Sequence, residues 1–248
     1  MKRIEDSDVQ WQTLAQQLFP EGFTIEEKDC FINGSASVNG QIISVIGTCQ
    51  HTPIGVEIAL AQAQAVLATV RDFPQRPILL LVDTQGQRLR HRDEMLGINS
   101  YMAHLGKCIA LARQRGHVVL ALVYAQALSG GFITSGMMAD ACYALPDATI
   151  RVMGLPAMAR ITKVPEDTLT ALAQSNPVFA PGPQNYEKMG GIQAIWGIDA
   201  NLTLAEQLAL ALAQADRTDQ RSALGQQRGG RLRAQAVIDA VLAVADDD

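Results

Sequence analysis

Two aliphatic stretches, Ile78 to Val82 and Val118 to Val123, each run on into a glycine-containing turn and then a helix-forming segment. The full passages read ILLLVDTQGQ (Ile78 to Gln87) and VVLALVYAQALSGGF (Val118 to Phe132). Continuous runs of Ile, Leu and Val belong to strands covered on both faces, as in parallel sheets flanked by helices. A strand, helix, strand, helix, strand order with short turns requires parallel pairing through crossovers, which puts both glycine turns on one sheet edge. In open α/β sheets that edge is where ligands bind. An α/β fold is therefore expected, with its chemistry at the carboxyl ends of the strands.

The flanking segments complete a single domain, divided into an N-terminal helical segment (1–28), a core (29–200) and C-terminal helices (201–248). Trp11, Leu14, Ala15 and Leu18 have the spacing of a short helix that breaks at Pro20 and Gly22. Phe31 to Cys49 reads as strands, with Asn33-Gly34 and Asn39-Gly40 as turn dipeptides, the second closing a hairpin. Thr52-Pro53 has the form of a helix start, a cap followed by an N1 proline, and Val56, Ala59, Ala63, Leu67 and Val70 carry that helix to Phe73-Pro74. Met95, Ile98, Met102, Leu105, Ile109 and Ala112 predict one long amphipathic helix, and Ala141 to Leu145 a third strand. Beyond lie Thr149 to Met153, a helix beginning at Pro165-Glu166-Asp167 and a Pro/Gly-rich loop from Asn176 to Gln184. A capping box of Thr203 and Glu206 precedes Leu204, Leu208 and Leu212, and a last helix over roughly Gly230 to Ala245 ends in three aspartates.

With 248 residues, 48% of them hydrophobic, the chain can bury a full core. Its net charge of −5 gives no global field for nucleic acid or an anionic membrane, so neither is an expected partner. An acidic partner requires a local basic patch, and Arg88-Leu-Arg90-His91-Arg92 supplies one. The four cysteines are scattered and form no CxxC pair, which argues against a disulfide framework and a zinc site. No charged-then-apolar leader follows Met1, and the apolar runs fall short of the roughly 20 residues a bilayer needs. A soluble, cytoplasmic protein is the expectation.

The chemistry centres on Ser129-Gly130-Gly131. A glycine pair can simply permit a tight turn, but here a buried strand precedes it and an apolar helix follows. Peptide N–H groups uncovered by any Cβ, at a helix start in a water-poor setting, are suited to hold a developing oxyanion. Gly86 lies on the same edge. Gly86, Gln87, Arg88 and Ser129 are the candidate substrate-binding residues, and Gly130 and Gly131 the candidate catalytic ones. Asp83 reads as a turn-capping carboxylate and Ser135-Gly136 as core. No GxSxG, GxGxxG or Walker A motif occurs, and His51, His91, His104 and His117 have no metal-ligand spacing. An inventory of directed amides without nucleophile or metal fits decarboxylation or carboxyl transfer, because an enolate formed by loss of CO2 needs no base.

VDTQGQ, the long helix and ALVYAQALSGGFITSGMMAD together resemble the carboxyltransferase branch of the crotonase superfamily, with its IDTPGA-type strand end and GxGxSGGA-type turn. Within that branch the chain is similar to the gamma subunits of biotin-independent malonate decarboxylases. The resemblance implies a crotonase-like spiral of ββα units, working as a heteromer with a homologous beta subunit and the active site between them. It implies malonyl thioester as substrate, borne by an acyl carrier protein with a CoA-like phosphopantetheine prosthetic group, and an acyl-carrier transferase subunit as a further partner. No cofactor bound by this chain, and no biotin, is expected. On that likeness the Gly130 and Gly131 amides form one oxyanion hole. Gln85 departs from the family's proline, and Gln126-Ala127-Leu128 from its glycine-rich approach to SGG. A biotin-dependent carboxyltransferase subunit and a non-catalytic scaffold that docks the carrier are the alternatives.

Overall fold

The computed structural model describes residues 10–173, 182–199, 201–230 and 232–245. Helix α1 (Trp11–Leu18) is followed by three strands, β1 (Phe23–Lys28), β2 (Phe31–Val38) and β3 (Gln41–Thr48), and by helix α2 (Val56–Asp72). Then come β4 (Ile78–Thr84), α3 (His91–Met95), α4 (Ile98–Gln114), β5 (Val119–Leu128), α5 (Ser129–Ser135), β6 (Ala141–Ala144) and β7 (Thr149–Arg151). Helices α6 (Leu155–Thr162), α7 (Glu166–Ala173) and α8 (Pro183–Lys188) lead to β8 (Ala194–Ile195). The chain closes with α9 (Leu204–Ala213), α10 (Arg221–Gln227) and α11 (Ala234–Ala245).

One sheet runs in the order β1-β2-β3-β4-β5-β6-β8, with β7 beside the far end of β5. The first three strands pair antiparallel; β3 to β4, β5, β6 and β8 pair in parallel. All seven residues of β4 are buried, because alternate side chains enter two cores. Ile78, Leu80 and Val82 meet residues of α2, α4 and α5 on one face. Leu79 and Leu81 meet Trp11, Leu14 and Leu18 of α1 and Leu208 of α9 on the other. This double cover is what the unbroken aliphatic runs require.

Asn39 and Gly40 close the β2–β3 hairpin with φ of +49° and +73°, the paired left-handed conformations that favour Asn-Gly there. Asn33-Gly34, expected as a turn, lies inside β2. A Cβ on Gly34 would stand 2.1 Å from the Thr24 carbonyl oxygen, so the glycine serves the close approach of β1. That strand is itself a correction to the helical reading of 1–28. The predicted helix start at Thr52-Pro53 moves to Val56, with Gly55 as N-cap. Ile54 is held extended by its amide to the Gly86 carbonyl (2.8 Å) and its carbonyl to the Arg88 amide (2.9 Å). The expected long helix is two, α3 and α4, broken at Gly97 with φ +74°, and Met95 is exposed. The buried Asp93 carboxylate accepts from Arg90 and from the Val56 amide, anchoring α3 to the start of α2. Helices α6 and α10 add to the predicted set. Most of the predicted loop from Asn176 to Gln184, and the aspartate tail 246–248, lie outside the described residues, and Pro183 begins α8. The capping box at Thr203 and Glu206 forms as its spacing implies. Among the described residues no helix is long and apolar enough to cross a membrane.

Candidate functional site

The end of β4 is fixed by a side chain as well as by the ladder, in which Thr84 pairs with Ala127 after a register shift. Thr84, fully buried, donates from Oγ1 to the Thr52 carbonyl (2.7 Å) and accepts the Gly86 amide (3.0 Å). Gly86 has φ +102°, a left-handed conformation that favours glycine. Its carbonyl accepts the Ile54 amide, so both backbone polar groups of Gly86 are engaged. Gly86 shapes the site, and its amide is committed to Thr84.

The second turn packs directly onto the first. A Cβ on Gly86 would meet the Leu128 carbonyl oxygen and Ser129 Cβ at 3.0 Å, and one on Gly131 would meet the C and Cα atoms of Gly86 at 3.0 Å. The sequence places the two turns on one edge; the structure brings their backbones into contact. Ser129 has φ +53°, and its Oγ donates to the Val152 carbonyl at 2.5 Å. A serine in this conformation is strained unless its surroundings hold it, and this hydrogen bond provides such a hold. Gly130 and Gly131 fall in the first turn of α5, where no residue of the helix lies four positions earlier to accept their amides. Their carbonyls are used: Gly130 accepts Thr134 Oγ1 (2.9 Å) and Gly131 accepts Ser135 Oγ (2.7 Å). Gly131 is buried and Gly130 half-buried. The nearest atom to the place a Gly130 Cβ would take is Gln87 Oε1 at 4.0 Å, so the space beside Gly130 is open up to Gln87.

Arg88 lies across Gly55, where an added Cβ would sit 3.2 Å from Nη1, and faces Glu57 at 3.9 Å. Arg92 and Arg90 also converge on Glu57, and Arg90 makes a two-pronged pair with Asp93 at 2.7 and 3.0 Å. The Arg92 hydrogen bond holds the Glu57 carboxyl below its ordinary range, and Arg90 does the same for Asp93. The basic run is thus partly neutralised, with Arg92 and Arg90 still substantially exposed.

Asp83 is the capping carboxylate its position implies. Buried, it accepts the amides of His51 (2.8 Å) and Gln126 (3.1 Å) and faces His51 Nδ1 at 2.5 Å. Behind it a cavity of about 400 Å³ is lined by Trp11, Glu27, Cys49, His51 and Tyr124. Among the described residues no cluster of His, Cys, Asp or Glu is arranged to hold a metal ion.

Sequence reasoning missed Arg151. It ends β7 abreast of Leu128, the residue that caps α5. Its Nε is buried without a hydrogen-bond partner, and burial pushes the guanidinium below its ordinary pKa. Nothing in ATIRVMG marks this arginine out; what distinguishes it is the lack, among the described residues, of a partner for its buried Nε.

A family profile described as malonate decarboxylase gamma subunit matches residues 49–245. The Malonyl-S-ACP:biotin-protein carboxyltransferase MADD of Malonomonas rubra is 32% identical, over 72% of this chain and 68% of that protein. A Pseudomonas malonate decarboxylase hetero-tetramer in complex with coenzyme A matches with a TM-score of 0.75 at 22% identity, over 92% of this chain and 97% of that one. The Pseudomonas MdcD-MdcE hetero-dimer gives 0.71 at 23%, over 94% and 97%. The transcarboxylase 12S core gives 0.69 at 18%, over 86% of this chain and 43% of that one. The crotonase-like architecture expected from the sequence is the fold these proteins share with it.

Proposed function

The chain belongs to the family of malonate decarboxylase gamma subunits, and we propose that with a homologous beta subunit it converts malonyl-S-ACP to acetyl-S-ACP and CO2. In this reaction the bond between the malonyl methylene and its carboxylate breaks, and its electron pair passes into the thioester. CO2 leaves, the thioester oxygen carries the charge of the enolate, and a proton taken up at the methylene carbon gives the acetyl product. The amides of Gly130 and Gly131 donate to that oxygen. Donors already aimed at the place where charge develops need no reorganisation, and the loss of one typically costs 100-fold or more in rate.

The observation that carries this reading is the interlock of Gly86 and Gly131. It fixes the start of α5 against the end of β4 and leaves the Gly130 side of the turn open beside Gln87. The phosphopantetheine arm enters as part of the carrier's substrate. This chain needs no bound cofactor of its own, and biotin takes no part. The acyl carrier protein and a transferase subunit that loads it are the further partners. Arg88 and Arg92 favour an acidic carrier surface near the site mouth.

The test is co-purification with the beta subunit, followed by CO2 release from malonyl-S-ACP with and without avidin. The complex is expected to be active and indifferent to avidin, and this chain alone inactive. A second reading rests on the relative that transfers carboxyl to a biotin protein: avidin inhibition, with label from the malonyl carboxylate appearing on biotin, would favour it.

A further inference from the structure

We infer that Arg151 binds the free carboxylate of the malonyl group, at the edge of the Ser129-Gly130-Gly131 turn; this rests on the decarboxylase reading above. The backbone of Arg151 is tied to that turn on two sides. Its ladder partner is Leu128, the N-cap of α5, and the carbonyl of the next residue, Val152, accepts Ser129 Oγ at 2.5 Å.

What points to an anionic ligand is the missing counter-charge. Other half-buried arginines have a partner: Arg113 pairs with Asp140 at 2.6 Å, Arg228 donates to the carbonyls of Glu187, Ile192 and Gln193, Arg88 faces Glu57 at 3.9 Å, and Arg76 stacks on the Phe73 ring at 3.4 Å. Arg151 is half-buried; among the described residues its side chain has neither an ion pair nor a hydrogen bond, and its Nε is sealed from solvent. Taking a cation out of water without a partner is unfavourable, and the burial that lowers its pKa reports the same penalty. A guanidinium presents a planar fork of donors that matches a carboxylate in two-pronged fashion. The malonyl group supplies that carboxylate, separated from the thioester carbonyl by a single methylene. An oxygen held by the Gly130 and Gly131 amides therefore brings the carboxylate to the rim of the same turn.

Held there, the carboxylate fixes the orientation of the bond that breaks. Once CO2 has left, the acetyl product has no anion for Arg151 to retain. Arg151 is thus a positioning residue that separates substrate from product.

The experiment compares Arg151→Gln and Arg151→Lys with wild type in the complex with the beta subunit. It measures kcat and KM for malonyl-S-ACP, inhibition by acetyl-S-ACP, and recovery of the beta subunit on purification. Loss of one charge-assisted, two-pronged contact is expected to raise KM about 10- to 100-fold in the Gln variant. Inhibition by acetyl-S-ACP should stay within about twofold, and Lys should recover part of the loss. An unchanged KM, or acetyl-S-ACP inhibition weakened in parallel with it, overturns the inference. So does loss of the beta subunit from the Gln variant alone, which would assign Arg151 to a carboxylate of that partner. A wild-type complex that releases no CO2 takes down the decarboxylase reading and this inference together, whereas an active wild type with an indifferent variant takes down the inference alone.

Discussion

Gly130→Ala separates the stability of the turn from its chemistry. A methyl on Gly130 meets nothing nearer than Gln87 Oε1 at 4.0 Å, and Gly130 is not among the glycines with left-handed φ. Alanine therefore fits, and by restricting the unfolded chain it adds about 0.4 to 1 kcal/mol of stability. For a chain of this size that is a rise of roughly 1 to 4 °C in Tm. The same methyl occupies the open side of the turn, where a thioester oxygen must come within about 3 Å of the amides. Losing one such donor costs about 2.7 to 4 kcal/mol of transition-state stabilisation, or roughly 100- to 1,000-fold in kcat. Stability and turnover should thus move in opposite directions. Scanning calorimetry of the variant, its co-elution with the beta subunit and CO2 release from malonyl-S-ACP measure the three quantities. Gly131→Ala is the contrast: its Cβ would press on the Gly86 backbone at 3.0 Å, an overpacking worth about 1 to 3 kcal/mol, so Tm and turnover should fall together. A Gly130→Ala complex that turns over at the wild-type rate would refute the oxyanion role and leave the chain a scaffold that completes its partner's site.

Arg88→Gln combined with Arg92→Gln should raise KM for malonyl-S-ACP several-fold at low salt, with the difference shrinking as ionic strength rises; a difference that ignores salt would mean the arginines do not steer an acidic carrier. Asp93, buried and held below its ordinary pKa by Arg90, contributes stability that is present above about pH 4 and lost as pH falls through its folded value. Asp93→Asn should therefore start from a lower Tm and flatten the acid limb of Tm against pH. Parallel curves for the two proteins would contradict this.

The central strands and the SGG turn were legible because β4 and β5 are apolar on both faces and the glycines follow at once. The hairpin at Asn39-Gly40 was legible because both of its positions require left-handed backbone. Asn33-Gly34 carries the same dipeptide signal with the opposite meaning, since Gly34 answers to Thr24 on another strand. The break at Gly97 was hidden because apolar spacing runs unbroken from Met95 into Ile98, whereas the left-handed turn at Gly97 and the anchoring of α3 by Asp93 to the Val56 amide are tertiary features. That Gly86 and Gly131 share an edge follows from chain order. That Thr84 Oγ1 takes up the Gly86 amide depends on side-chain geometry that no spacing encodes. Arg151 is the extreme case, an ordinary arginine in the sequence, set apart only by a buried Nε that has no hydrogen-bond partner among the described residues.

The most direct measurement is a crystal structure of the complex with the beta subunit bound to a non-cleavable malonyl thioester isostere. The account expects the oxygen that mimics the thioester oxygen within about 3 Å of the Gly130 and Gly131 nitrogens. An oxygen held by other donors, with those two amides bonded elsewhere in the protein, would contradict it.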